Sequence, residues 1–141
     1  MATYTANAAQ ATVQPKGLRV GLIAANAAFS FGVTPSTGDV FQMVKVPANA
    51  TPVFIQWQVT NGTPSWMMEV GDGISTARYK SCATVSTNSG WQIMYTNVLA
   101  PPAPYTYSAE DTIDVVYSTV TASNASPGGA IYLNAVFSMN P

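Results

Sequence analysis

An all-β antiparallel sandwich is the fold this sequence predicts, and three observations predict it. Apolar and polar residues alternate over short runs, the two-residue period of half-buried strands. Turn signals rich in Gly, Pro and Asn separate these runs. No sustained helical segment lies between them, which argues against the strand–helix alternation of a parallel sheet. About eight strands result. Eight strands in two packed sheets is the jelly-roll count, so the expectation is a jelly-roll-like antiparallel β-sandwich. No internal repeat of fixed period is visible, which sets aside propellers and solenoids.

The elements follow in chain order. Residues 1–16 are small and polar, end at Pro15-Lys16, and read as an extended N-terminal arm that is either disordered or laid on a neighbour. Residues 17–141 read as a single sandwich domain. Leu18, Val20 and Leu22 alternate with Arg19 and Gly21 as in a strand. Ala24 to Ala28 suits a short helix by propensity, whereas Phe29-Ser30-Phe31 returns to alternation. Thr34 to Asp39 is a turn cluster, Val40 to Val46 a strand closed by Pro47, and Ala48 to Pro52 a second turn. Val53, Ile55, Trp57 and Val59 form the apolar face of the next strand. Asn61-Gly62 is a hairpin signal lengthened by Thr63-Pro64, and Trp66 to Val70 is the returning strand. Gly71-Asp72-Gly73 turns tightly, Ala77 to Ser81 suits a short strand, and Cys82 to Ser89 is one helical turn or a loop. Trp91, Ile93 and Tyr95 alternate as a strand. Pro101 to Pro104 is a stiff connector that Tyr105 to Ser108 continues in extended form. Thr112 to Val120 is a strand with Ile113, Val115 and Tyr117 on one side and Asp114 and Val116 on the other. A loop, Ser123 to Gly129, leads to the last strand, Ala130 to Phe137.

Composition narrows the function. The 141 residues are 48% hydrophobic, enough for one real core. Only 8% are charged, against about 25% in an ordinary soluble domain. Solubility then rests on hydroxyl and amide side chains, a surface suited to lying against other proteins. Five scattered basic residues and a net charge of −1 offer no patch for phosphates, so no nucleic-acid partner is expected. No apolar run approaches the ~20 residues of a membrane helix, and no membrane partner is expected. Met1-Ala2-Thr3-Tyr4 lacks the basic and apolar regions of a signal peptide, so the expectation is a protein made in the cytosol and not exported. The Asn-x-Ser/Thr matches at Asn49, Asn61 and Asn124 then read as chance.

Little in the chain points to catalysis. It has no histidine, which removes Ser-His-Asp and Cys-His arrangements together with the commonest metal ligand. Cys82 stands alone and reads as a small buried apolar group. The carboxylates are Asp39, Glu69, Asp72, Glu110, Asp111 and Asp114, and a glycosidase needs only two. Each reads as structural: Glu69 and Asp72 flank the Gly71 turn, Glu110-Asp111 precedes a strand, and Asp114 is expected to face solvent or a cation across the sheet. Gly71-Asp72-Gly73 supplies too few ligands for a calcium loop. No cofactor, metal site or catalytic residue is expected. The aromatics admit a sugar-binding platform, but Trp57 reads as core, and Tyr105 and Tyr107 suit a protein interface.

Three segments share a further feature. Asp39-Val40-Phe41-Gln42-Met43-Val44-Lys45-Val46-Pro47, then Glu69-Val70-Gly71-Asp72-Gly73 with Ala77-Arg78-Tyr79, then Tyr105-Thr106-Tyr107-Ser108-Ala109-Glu110-Asp111-Thr112-Ile113-Asp114-Val115 resemble, in order and spacing, segments of small head-associated proteins of tailed bacteriophages. Over most of residues 18–137 the chain is similar to the capsid cement, or decoration, proteins of double-stranded DNA phages. The Pro101 to Pro104 connector is longer and richer in Pro than that pattern. The resemblance implies a jelly-roll-like subunit on the outer surface of the virion head, made in the host cytoplasm. It would bridge major capsid protein subunits and associate with itself, a homodimer being favoured and a homotrimer the alternative. No catalytic residue is carried over. Candidate interface residues are Tyr4 and Gln14 in the arm and Pro102, Tyr105 and Tyr107 in the proline-rich stretch. The rival readings are a phage tail or fibre component and a carbohydrate-binding β-sandwich module.

Overall fold

The computed structural model describes residues 1–6, 21–32, 35–60, 66–85, 92–93, 105–119 and 129–139. These form β1 (Thr3–Thr5), β2 (Gly21–Ser30), β3 (Val40–Val46), β4 (Ala50–Thr60), β5 (Trp66–Asp72), β6 (Lys80–Val85), β7 (Gln92–Ile93), β8 (Asp111–Thr119) and β9 (Ala130–Met139). One sheet runs β1-β3-β8-β5-β6 and the other β2-β9-β4-β7. The pairings are nested. β2 lies against β9, β3 against β8, β4 against β7 and β5 against β6, each antiparallel. Rolling such a folded-over ribbon brings β4 beside β9 and β5 beside β8, which closes the two sheets of a jelly roll. The predicted all-β, jelly-roll-like sandwich is therefore the observed fold.

β1 is an addition to that plan. Thr3, Tyr4 and Thr5 pair in parallel with Val40, Phe41 and Gln42, so the start of the predicted arm is an edge strand of the five-stranded sheet. Asp39 fastens it: one carboxylate oxygen accepts the Ala2 amide at 2.7 Å and the other the Ser36 amide at 2.8 Å. The turn before β3 passes through Gly38 at φ +88°, a left-handed position that a Cβ would strain. Asn49, at φ 64°, plays the same part between β3 and β4, where asparagine is the tolerated non-glycine residue.

Alternation places the core. Ile55, Trp57 and Val59 of β4, Ile113, Val115 and Tyr117 of β8, and Ile131, Leu133 and Phe137 of β9 are all buried in one cluster. An aromatic nest fills one part of it. Phe41 stacks on Tyr4 at 5.0 Å and meets Phe29, Phe31 and Tyr117 edge-on. Edge-to-face and offset geometries are those the ring quadrupole favours.

Five expectations change. Ala24 to Ala28 is strand, because all ten residues of β2 pair with β9 and tertiary pairing overrides helix propensity. Thr51 and Pro52 belong to β4, not to a turn, and the β4–β9 register skips between Pro52 and Phe54. That bulge turns Val53 outward to 43% exposure, although it shares the parity of Ile55 and Trp57. Cys82 to Val85 continues β6 rather than a helical turn, while residues 86–89 lie outside the described residues. Asp114 does not face solvent: it is 4% exposed.

Candidate contact surfaces

Two of the three segments singled out by resemblance, residues 69–79 and 105–115, meet in space around Asp72. β5 ends there, and the chain doubles back so tightly that a Cβ on Gly71 would sit 1.9 Å from the Ser75 carbonyl oxygen. Only glycine allows that approach. Asp72 then gathers the loop. Its Oδ1 accepts the Ile74 amide at 3.0 Å and the Ser75 amide at 2.7 Å. Its Oδ2 accepts from the Arg78 guanidinium and from the Tyr107 hydroxyl, the latter at 3.0 Å. The Tyr79 and Tyr107 hydroxyls bond to each other. The Arg78 guanidinium lies 3.7 Å over the Tyr105 ring, which packs edge-on against Tyr107 at 4.9 Å. Burial alone pushes the Asp72 carboxyl up, but these donors outweigh it and hold the group below its ordinary value. Burial and the bond to Tyr79 push the Tyr107 phenol far up, so it stays a neutral donor.

This clasp reassigns one candidate. Tyr107 is 2% exposed, its hydroxyl is spent on Asp72, and its backbone exchanges hydrogen bonds with Asn49 and Ala50. These contacts, like those of its hydroxyl with Tyr79 and its ring with Tyr105, all lie within the subunit. Tyr4 likewise packs on Phe41 and Phe29. Tyr105 is half-buried at the rim of the clasp. Gln14 and Pro102 lie outside the described residues.

What the clasp presents was not foreseen: Ile74, at the tip of the loop, is 76% exposed. Its signal in the sequence was slight, a branched apolar residue directly after Gly-Asp-Gly. Asp114 stands next to this loop, because it pairs with Gly71 and the Ser75–Thr76 backbone occupies the space a Gly71 side chain would take. Its Oδ1 has no hydrogen-bond partner. Burial pushes its carboxyl up to about 6, against the downward pull of the Thr112 hydrogen bond, and the charges of Asp111 and Asp72 add smaller upward pushes.

Charge is unevenly divided. Asp39, Glu69, Asp72, Glu110, Asp111 and Asp114, with Lys45, Arg78 and Lys80, all lie in or beside β3, β5, β6 and β8. β2, β4, β7 and β9 contain no charged residue. Among the described residues no group of three or more Asp, Glu, Cys or His side chains is placed to hold a metal ion, and no helix is long and apolar enough to cross a membrane.

No protein-family model and no curated protein matches the sequence. Solved structures do share the fold. The chain is similar to one in the capsid of Ralstonia phage GP4, with a TM-score of 0.76 and 18% identity, covering 99% of each chain. It is similar to one in the capsid asymmetric unit of cyanophage Pam1, with a TM-score of 0.67 and 20% identity, covering 95% of this chain and 97% of that one. A chain in the acidic stable capsid of Helicobacter pylori bacteriophage KHP30 aligns with a TM-score of 0.58 and 15% identity, covering 86% of this chain and 90% of that one. At these identities the likeness is one of fold, and it covers 86% to 99% of the chain: the jelly roll described above is the fold of chains in three phage capsid structures.

Proposed function

We propose that this chain is a structural, non-enzymatic virion protein that sits on the outer surface of a phage head and cements neighbouring major capsid protein subunits. The observation that carries the reading is the completeness of the fold likeness, 99% of both chains in the Ralstonia phage GP4 capsid. The scarcity of charge supports it, since a lattice of repeated apolar and amide contacts needs few ions and reinforces itself through effective concentration. In this proposal the loop bearing Ile74 makes the head contact, with Tyr105 at its rim; Gln14 and Pro102, outside the described residues, are further contact candidates. The Asp72 clasp pre-orders that loop, so little conformational entropy is lost on docking.

The test mixes purified protein with heads that lack it and images them by cryo-electron microscopy. A regular array of added density on the shell is the expected result, and bare heads would refute the cement role. Binding should change less than about threefold between 50 and 500 mM salt, because few ion pairs are available to be screened. Ile74→Asp should lower occupancy at least tenfold, and unchanged occupancy would remove the loop from the contact.

A further inference from the structure

The outward face of the β2-β9-β4 sheet is unlike the rest of the molecule. Three rows cross it in register: Ala24–Val136–Phe54, Asn26–Asn134–Gln56 and Ala28–Tyr132–Gln58. Leu22, exposed to 66%, extends it at one end. No charged residue stands on any of these strands, whereas a sheet face meant for water ordinarily alternates apolar residues with Lys, Glu and other polar groups. β2 is also an edge strand of its sheet among the described residues, and it carries none of the charges or prolines that guard exposed edges.

From this we infer that the β2-β9-β4 face joins two copies of the chain about a two-fold axis, an inference that rests on the reading of the chain as a self-associating virion subunit. A two-fold contact sets one patch against itself, so the patch must be complementary to its own copy. This one is. It has no charge to repel its mate. Its amide row lies at the middle of the three strands, and each primary amide carries both donors and acceptors, so Asn134 and its neighbours can pair with their own kind across the axis. The apolar row Ala24–Val136–Phe54 flanks the amides on one side, and Ala28 and Tyr132, with Gln58, flank them on the other. The size is near that needed. Strands of ten and eleven residues run roughly 33 Å, and three of them side by side span about 14 Å. Two such faces together cover about 900 Å² before the relief of their side chains is counted, close to the ~1,000 Å² that a specific interface must clear.

Light scattering on the full-length protein at micromolar concentration tests this, with Asn134→Lys, Asn134→Glu and the more exposed Asn26→Glu as variants. The wild type should be a dimer. Each Asn134 variant should fall apart to a folded monomer, with association weakened about 100-fold or more by like charges meeting near the axis. An equimolar mixture of Asn134→Lys and Asn134→Glu should recover the dimer, a rescue that misfolding cannot produce. A monomeric or trimeric wild type, dimers undisturbed by all three variants, or a mixture that stays monomeric would overturn the inference. Heads left bare by a wild-type dimer would overturn the cement role alone, and heads decorated by a wild-type monomer would overturn this face alone.

Discussion

Replacing Asp114 with asparagine should stabilise the protein at neutral pH and not at acidic pH. Asp114 stands on β8 between Gln42 and Gly71, beside the Ser75–Thr76 backbone, with Oδ1 unbonded. Its carboxyl titrates near 6 in the fold, against 3.8 for the free group. The folded protein therefore holds a proton that the unfolded chain releases between these values. Stability is full below about 4 and falls as pH rises through 6. The rise from 3.8 to about 6 corresponds to about 3 kcal/mol lost on ionising the buried group. Asparagine has nearly the same shape and cannot ionise. Its amide brings donors that need partners, at a cost of about 1 kcal/mol. The net gain at pH 7.5 is then about 2 kcal/mol, or roughly 6 °C in Tm for a domain of this size. At pH 4 the variant should equal the wild type or be slightly weaker. Urea denaturation of both proteins at pH 4, 5, 6 and 7.5 measures the gap, and its change with pH cancels the structural cost of the amide. Parallel pH curves for the two proteins would refute the argument.

Other substitutions probe the parts that build the surface. Tyr107→Phe removes the hydroxyl shared by Asp72 and Tyr79 and should cost about 1–2 kcal/mol in urea denaturation. Gly71→Ala drives a methyl group into the Ser75 carbonyl, so the loop must move; a loss of about 3 kcal/mol and faster hydrogen exchange at the Ile74 and Ser75 amides are expected. Tyr4→Ala takes one ring from the aromatic nest and should cost about 2 kcal/mol, whereas no change in thermal denaturation would return residues 3–5 to the status of a free arm.

What the sequence discloses and what it hides divide along one line. Strands whose evidence is local were legible: Val40 to Val46 coincides with β3, and Thr112 to Val120 differs from β8 by one residue at each end. Features set by a distant partner were not. Ala24 to Ala28 has the propensity of a helix until β9 lies beside it. Val53 follows the core parity of its strand until a bulge against β9 turns it out. Tyr107, in a Tyr- and Pro-rich stretch, looks like a contact residue, and only its ties to Ala50 and Asp72, more than thirty residues away, bury it. Asp114 looks solvent-facing because the loop that lies next to it belongs to another strand. The resemblance placed the Gly71-Asp72 and Tyr105–Tyr107 segments near each other in importance, but it did not indicate that they form one clasp.

The same long-range logic explains how a chain with so few charges uses them. Asp39 ties β1 to the turn before β3, Asp72 gathers its loop, and Glu69 accepts the Thr76 hydroxyl. Lys45 pairs with Glu110 at 2.6 Å across a partly exposed gap, a contact worth a few tenths of a kcal/mol. Among the described residues all of this charge stands in or beside one sheet, and three of its carboxylates, Asp39, Asp72 and Asp114, are buried. No charged residue stands on the strands of the opposite sheet to keep it apart from another uncharged surface. A monomer with that face bare would stay soluble only through amides, hydroxyls and small side chains, so covering the face removes an association hazard as well as adding contacts. In that sense the gathering of charge on and beside β3, β5 and β8 and the uncharged face of β2, β9 and β4 are two consequences of one allocation. Adding a charge at Asn134 tests both at once: the variant should be more soluble than the wild type and less able to assemble.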